Sequence, residues 1–481
     1  MKQNFLALVI LFCQITIAQT SQENFSELDH FIKKLQLETN SQSISAAIYM
    51  NNSLFWANGF EIQDDEVVQV NGNRSYRIGS VSKVFTSAIL EMMRAENKLN
   101  LDDPVFEYLP KFGEKGKKIS LRSLANHTSG VRHYDYGEEK LARKPYDSSI
   151  ESLELFVNDP LLFEPKTNYY YSSYGYNLIA ACLEKIAEKS YEILLQEYIT
   201  QPYGFNSIEV EKQHDFKPEY VDVYEGKRKV VQAKDLSYKW ASGGLRSNVT
   251  DLVKFGALFF DNNSTFDSNS KLNFFTQGTL KDGTSVSHAV GWKADMLNTG
   301  ERIIYHNGEV QGGRTHFLVI PGLNISVAIS VNRGSYFSLD EGLFLVQQAL
   351  VLEKKPFGAK FKRDEEKISK VVKSMHKALR DFRTGLKEAN LELINDCVSN
   401  DFSNPKWKDK SKFIDFLTDK LSNKTVIEED TEIDLSIGGI ENGAISTVDN
   451  LKYKNLFDKD YTFIFTFFDE KWSLTSISEK L

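Results

Sequence analysis

The sequence predicts a mixed α/β (α+β) protein of at least two domains, and three observations carry this expectation. The chain has 481 residues, more than a single hydrophobic core ordinarily serves. Alternating apolar segments at 44–56 and 290–332 bracket a long stretch of helical spacing. Beyond residue 364 a second succession begins, first helical in period and then alternating. Hydrophobic content of 41% and charged content of 26% describe an ordinary globular chain rather than a disordered one. A net charge of −8, with no basic patch interleaved with aromatics, gives no reason to expect nucleic acid as a partner.

The first residues read as an address rather than structure. Lys2 precedes an apolar run from Phe5 through Phe12, fading to Ile17 and small Ala18 before polar Gln19. This is the pattern of a secretory signal peptide over 1–18, cleaved after Ala18. The run is too short to span a bilayer, and nothing later would anchor the chain, so an exported protein without stable membrane insertion is expected. Cys13 follows bulky Phe12, where a lipid-attachment site wants a small residue. Cys182 and Cys397 remain after cleavage. They fall in different expected domains, so no disulfide framework is implied and each reads as a small buried hydrophobe.

Leu28, Phe31, Ile32 and Leu35 fall at helical spacing, predicting a helix over 26–37. Ile44 to Met50 and Leu54 to Trp56 alternate as strands, with Asn51-Asn52 as the hairpin turn. Residues 60–69 read as loop. Gly79 then turns an extended segment into a helix running to about residue 96. A second helix is capped by Ser120 and closed at Gly130, and a third runs through Leu178, Cys182 and Ile186, followed by another over 191–199. Ser247 or Asn248 caps a helix to about Phe260. Strands follow at 291–293, 302–306, 315–320 and 325–331, with Pro321-Gly322 as a turn, and a helix at 339–352 closes the unit. Residues 353–363 read as a linker. The remainder, 364–481, opens on a long amphipathic helix with Val371, Val372, Met375, Leu379, Phe382 and Leu386 on one face. Further helix at 391–394 and 413–417 and strands at 431–435, 461–466 and 472–477 complete it.

The chemistry-bearing stretch is Ser80-Val81-Ser82-Lys83. Residues three apart share a helix face, so a hydroxyl and an amine meet there. A desolvated lysine can lower its pKa enough to activate an alcohol, and the helix N-terminus favours a developing oxyanion. Taken alone the motif is common, and a serine at a helix start is ordinarily a cap. His127, in a turn before Thr-Ser-Gly, reads as a residue that holds its loop together by hydrogen bonds. In the tyrosine cluster 169–176, one phenol can act as a base if cations lower its pKa; otherwise the cluster is packing. The histidines show no metal-binding spacing, no Gly-x-Ser-x-Gly elbow is present, and no cofactor is called for.

Ser80-Val81-Ser82-Lys83, Tyr171-Ser172-Ser173 and His306-Asn307-Gly308 occur in the order and rough spacing of the serine β-lactamase-like hydrolases, which the chain resembles over about 25–352. That group includes class C β-lactamases, D-alanyl-D-alanine carboxypeptidases and related esterases and peptidases. Leu101 to Pro104, Leu124 to Gly130, Glu164 to Thr167, Gly243-Gly244-Leu245 and Asp251 to Phe255 add to the likeness. The resemblance implies an antiparallel sheet flanked by helices with a helical subdomain. It makes Ser80 the nucleophile of an acyl-enzyme, with Lys83 and Tyr171 sharing the proton work and the identity of the base left open. It places Ser173, His306, Asn307, Gly308 and Glu309 around the substrate, the N–H groups of Ser80 and Glu309 forming an oxyanion hole. His306 stands where β-lactamases carry lysine, positioned to meet the Tyr171 phenol or a substrate carboxylate, and is expected to titrate near neutrality. Ser173 stands where class C enzymes carry asparagine. Both departures favour a D-Ala-D-Ala-type peptidase or esterase, acting on a small molecule or peptide, over a genuine β-lactamase. The rival of another class is a catalytically inactive penicillin-binding-like module. The C-terminal region resembles the cone-shaped α+β fold of SnoaL-like domains, which implies an accessory or dimerisation role.

Overall fold

The computed structural model describes residues 25–355, apart from 65, 135–143, 213–214, 226–227, 262–265, 298 and 334–338, together with parts of 377–479. The chain divides into two compact units, the second made mainly of Lys362–Leu481. The expected signal peptide, most of the linker, the start of the long amphipathic helix and the strand at 431–435 lie outside the described residues.

The first unit is built on a seven-stranded antiparallel sheet. Its strands are β1 (Ser43–Met50), β2 (Ser53–Gln63), β3 (Glu66–Val70), β4 (Lys293–Met296), β5 (Arg302–Val310), β6 (Gly313–Ile320) and β7 (Ile325–Val331). Their spatial order is β3-β2-β1-β7-β6-β5-β4. The N-terminal hairpin therefore pairs with the strand that ends the sheet-forming sequence, and β1 to β7 closes the unit. Asn51 and Asn52, at φ of 55° and 59°, make the β1–β2 turn left-handed at both central positions, matching the twist of a tight hairpin.

Alternation along the strands sorts side chains onto two faces. Ile44, Ala46, Ile48, Leu318, Ile320, Val327 and Ile329 pack with α1 (Ser26–Thr39) and the closing helix Leu339–Leu352. Ala47, Phe317, Val319 and Ala328 face the helices α2 (Ser82–Ala95), α3 (Ser173–Ala187) and α4 (Val249–Ala257). An aromatic chain runs through this second core: the rings of Phe85 and Phe255 are 4.5 Å apart, Phe259 and Trp292 5.1 Å, and Trp292 and Phe317 5.3 Å. Each such side chain removed from water stabilises by roughly 1.5–3 kcal/mol.

The expected loop over 60–69 is instead strand. β2 runs on to Gln63, and β3 follows as an exposed edge. Val67 and Val68 are both exposed there, so the burial alternation that marks a half-buried strand is missing from its sequence.

In the second unit, the helices Leu391–Cys397 and Lys410–Ser422 accompany a six-stranded sheet. Strand Val398–Asn404 pairs parallel to Lys471–Glu479, which pairs antiparallel to Tyr461–Phe468. Ile394, Leu417 and Leu474 are buried, and the Phe402 and Phe413 rings stack at 4.9 Å. Cys182 and Cys397 are both buried free thiols. Among the described residues no helix is long and apolar enough to cross a membrane.

Candidate active site

Ser80 is delivered by a strand, a turn and a helix. Tyr76–Arg77 pairs antiparallel with Leu245–Ser247, and a single 3-10 turn, Gly79–Val81, leads into α2. Gly79 adopts φ of +52°, and a Cβ there would lie 2.5 Å from the Glu309 nitrogen. Conformation and space both require glycine at this position. The turn is tied by Ser82, whose hydroxyl donates to the Gly79 carbonyl at 2.7 Å and accepts from the Leu245 N–H at 3.1 Å. Ser80 itself is partly exposed, whereas Lys83 is fully buried.

The Lys83 Nζ stands 3.2 Å from Ser80 Oγ, 3.0 Å from Ser173 Oγ and 2.5 Å from the Ser242 carbonyl oxygen. Burial pushes this amine well below its ordinary pKa, and the nearby charge of Lys239 pushes it further. A neutral amine has two N–H bonds and one lone pair. The carbonyl of Ser242 can only accept, so one N–H is committed to it. As placed, the amine also donates to Ser173 Oγ and Ser80 Oγ; once neutral it keeps only two donor bonds, and its lone pair can accept from one of these hydroxyls.

Tyr171 approaches from the start of α3 and is hydrogen-bonded to Ser80. Burial raises its pKa well above that of a free phenol, with the Ser80 contact opposing, so the hydroxyl is protonated. Lys83 lies over its ring at 4.9 Å. Ser172 is the N-cap of α3, its hydroxyl accepting from the Gly175 N–H at 3.0 Å and donating to the Arg132 carbonyl at 2.7 Å. Ser173, although not an asparagine, still reaches Lys83.

The third segment is β5. Gly308 faces the nucleophile turn, since a Cβ there would lie 1.9 Å from the Ile78 carbonyl oxygen and 3.2 Å from the Ser80 nitrogen. Strand alternation places His306 on the same face and Asn307 and Glu309 on the other. The Asn307 side chain accordingly pairs across to His316 Nδ1, and the Glu309 carboxylate pairs with Arg314. The pleat thus turns the Asn307 side chain to the face opposite Ser80. Glu309 contributes its backbone, which lies beside Gly79.

His306 Nδ1 lies 2.7 Å from the Asn307 carbonyl. A carbonyl accepts, so Nδ1 carries the proton and Nε2 the lone pair. Nε2 is buried without a partner among the described residues. Burial pushes the ring down to about 3. The expectation that His306 titrates near neutrality fails for this reason. A neutral ring with its lone pair directed inward does not attract a carboxylate.

Several neighbours escaped the sequence reading. The Ser242 carbonyl is backbone and has no sequence signature. Lys239 is buried over the rings of Tyr134 at 4.8 Å and Tyr238 at 5.3 Å. His133 Nδ1 accepts from the Ser173 N–H at 3.0 Å, and His288 Nδ1 lies 2.9 Å from the Tyr169 hydroxyl. His127, expected to hold its loop, has φ of +62° and accepts at Nδ1 from the Ser172 N–H at 3.1 Å. Among the described residues no group of three or more His, Cys, Asp or Glu side chains is disposed to hold a metal ion.

The fold is of the β-lactamase and transpeptidase type. Residues 28–350 match the family described as Beta-lactamase, and the chain belongs to it. It is 28% identical over 337 residues to the serine beta-lactamase-like protein LACTB, mitochondrial, of Homo sapiens, a match covering 55% of this chain and 61% of that protein's length. An octameric penicillin-binding protein homologue from Pyrococcus abyssi superposes with a TM-score of 0.59 at 18% identity, covering 93% of this chain and 94% of that one. A beta-lactamase/D-alanine carboxypeptidase from Yersinia pestis superposes with a TM-score of 0.56 at 21% identity, covering 70% and 99%. At these identities the two structures speak for the fold alone.

Proposed function

We propose that this protein is an exported serine hydrolase that cleaves an amide or ester through an acyl-enzyme on Ser80, its substrate a D-Ala-D-Ala-type peptide or a related ester. One observation carries the reading: Ser80 Oγ is met at once by the buried Lys83 amine and by the Tyr171 hydroxyl. The neutral Lys83 lone pair takes the Ser80 proton as Oγ attacks the carbonyl carbon. The carbonyl electron pair moves onto oxygen, which the N–H groups of Ser80 and Glu309 hold. When the tetrahedral intermediate collapses, the leaving amine or alcohol takes the Tyr171 proton, and Tyr171 recovers it from Lys83. Water entering along the same path reverses the proton transfers and frees the acid. In this reading Lys83 is the base, and the protonated phenol is the acid.

The neutral His306 and the absence of an asparagine at Ser173 favour a peptidase or esterase over efficient β-lactam turnover. Export rests on the leader at 1–18, and for the second unit we propose an accessory, SnoaL-like role rather than a second catalytic centre.

Intact-mass spectrometry after incubation with a penicillin, and separately with an activated ester, tests the proposal. An adduct on Ser80 that disappears in Ser80→Ala supports it. Folded protein that neither forms an adduct nor turns over the ester points instead to a binding module.

A further inference from the structure

We infer that His133 is a positioning residue: its Nδ1 fixes the Ser173 amide at the start of α3 and thereby seats Tyr171 against Ser80. The inference rests on the hydrolase reading above and extends it to a residue that touches none of the reacting atoms.

The first N–H groups of a helix have no partner within it. At the start of α3 three are accounted for separately. The Gly175 N–H goes to the Ser172 hydroxyl at 3.0 Å, the Ser173 N–H to His133 Nδ1 at 3.0 Å, and the Ser172 N–H to His127 Nδ1 at 3.1 Å. Two histidines thus clamp the two consecutive amides that follow Tyr171. Each Nδ1 must carry a lone pair to accept, so each ring holds its proton on Nε2.

Ser173 is where this clamp meets the chemistry. Its N–H is held by His133 and its hydroxyl by Lys83 at 3.0 Å. A displacement of Ser173 therefore disturbs the lysine's hydrogen-bond set and, two residues back, the phenol. The His133 ring is itself fixed. It lies 4.0 Å from the Tyr134 ring and 5.7 Å from the Tyr171 ring, and its carbonyl accepts from Arg132 at 3.0 Å. Burial is the largest influence holding it neutral, and the cations acting on it besides the base are Lys239 and Arg132. These cations disfavour a second proton on the ring and so preserve its acceptor.

The residue type follows from the same geometry. A carboxylate would be the ordinary acceptor at a helix start, but its charge would favour the ammonium form of Lys83 and remove the base. A neutral imidazole supplies the lone pair without the charge.

Two variants test this. In His133→Asn the amide oxygen can stand in for Nδ1; in His133→Ala no acceptor remains. Hydrogen–deuterium exchange on peptides spanning 169–176 is expected to speed up in His133→Ala and to stay near wild type in His133→Asn. Ester hydrolysis by the same proteins is expected to lose roughly tenfold to a hundredfold in kcat in His133→Ala with KM little changed, and to recover in His133→Asn. A merely structural side chain would not be rescued by asparagine with this kcat–KM split. Exchange and kcat both unchanged in His133→Ala would overturn the clamp. Wild-type protein with a slowly exchanging segment and no turnover would overturn the hydrolase reading while leaving the clamp measured.

Discussion

Lys83 Nζ and Ser80 Oγ are 3.2 Å apart where the Gly79–Val81 turn enters α2, and the Ser242 carbonyl holds one N–H of the lysine at 2.5 Å. Helical spacing explains the proximity. Burial lowers the pKa of the amine, and Lys239 lowers it further.

The contribution of Lys239 gives the first prediction. Removing that charge in Lys239→Met takes away a like neighbour, which favours the ammonium form and raises the Lys83 pKa. The base is then protonated at higher pH, so the acid limb of the kcat/KM profile for an activated ester moves upward. The plateau above it is expected to change little, because Lys239 stacks on Tyr134 and Tyr238 rather than on Ser80. An acid limb that stays in place would show that Lys239 does not tune Lys83.

Gly308 supplies the second. Its backbone is not strained, but a Cβ would lie 1.9 Å from the Ile78 carbonyl oxygen. Two backbones meet there, so Gly308→Ala must push β5 away from the nucleophile turn and carry the Glu309 N–H with it. Loss of one oxyanion donor costs roughly a hundredfold to a thousandfold in kcat. Gly175→Ala is the control, since its Cβ would meet nothing closer than 3.6 Å. Steady-state ester hydrolysis by the two variants separates them, and equal rates would remove Glu309 from the oxyanion hole.

The pairing of Ser80 with Lys83 was legible because it needs only helical geometry, and the hairpin at Asn51-Asn52 because side chains that tolerate positive φ announce it. Tyr171 was not separable by pattern from the tyrosines around it; only its place among the family motifs singled it out. What escaped were features that depend on the fold bringing distant segments together. His133 reaches Ser173 only after the chain turns at Gly130, which has φ of +77°. The Ser242 carbonyl is common to every residue type. The charge of His306 follows from burial, which the sequence does not state, and the outward turn of Asn307 from strand register. The exposed edge β3 lacked the alternation by which strands are recognised.

The buried histidines give a third prediction. Burial pushes His133, His306 and His316 down to about 3. As pH falls through 6.5 the unfolded chain takes up protons that the folded one refuses, so unfolding gains. Their contribution is complete above about pH 6.5 and is lost progressively as pH falls toward 3. Each such histidine adds at most about 1.4 kcal/mol per pH unit to the slope. Urea midpoints should therefore fall between pH 7 and pH 5. His316 lies on the sheet face away from Ser80, and His316→Gln should make the decline shallower. Identical midpoints at both pH values would mean that these rings protonate in the folded protein.

The last prediction concerns the support beneath the nucleophile. The Arg77 guanidinium, 1% exposed, pairs with the Glu211 carboxylate, which also accepts from Arg246 Nε at 2.6 Å. Arg77 reaches the Gln311 carbonyl at 3.2 Å and the Lys234 carbonyl at 3.0 Å, while Arg246 reaches the Ser75 carbonyl at 3.1 Å. The trio thus ties together the strand that leads to Ser80, the turn after β5 and the strand that follows Ser242. Glu211→Gln would leave two buried guanidiniums facing each other without a counter-charge, at a cost of about 3–5 kcal/mol. Replacing all three groups together, Arg77→Met with Glu211→Leu and Arg246→Met, removes the charges along with their desolvation and should lie nearer to wild type in urea unfolding. A single Glu211→Gln variant as stable as wild type would mean that water, rather than the carboxylate, carries the charge of the two arginines.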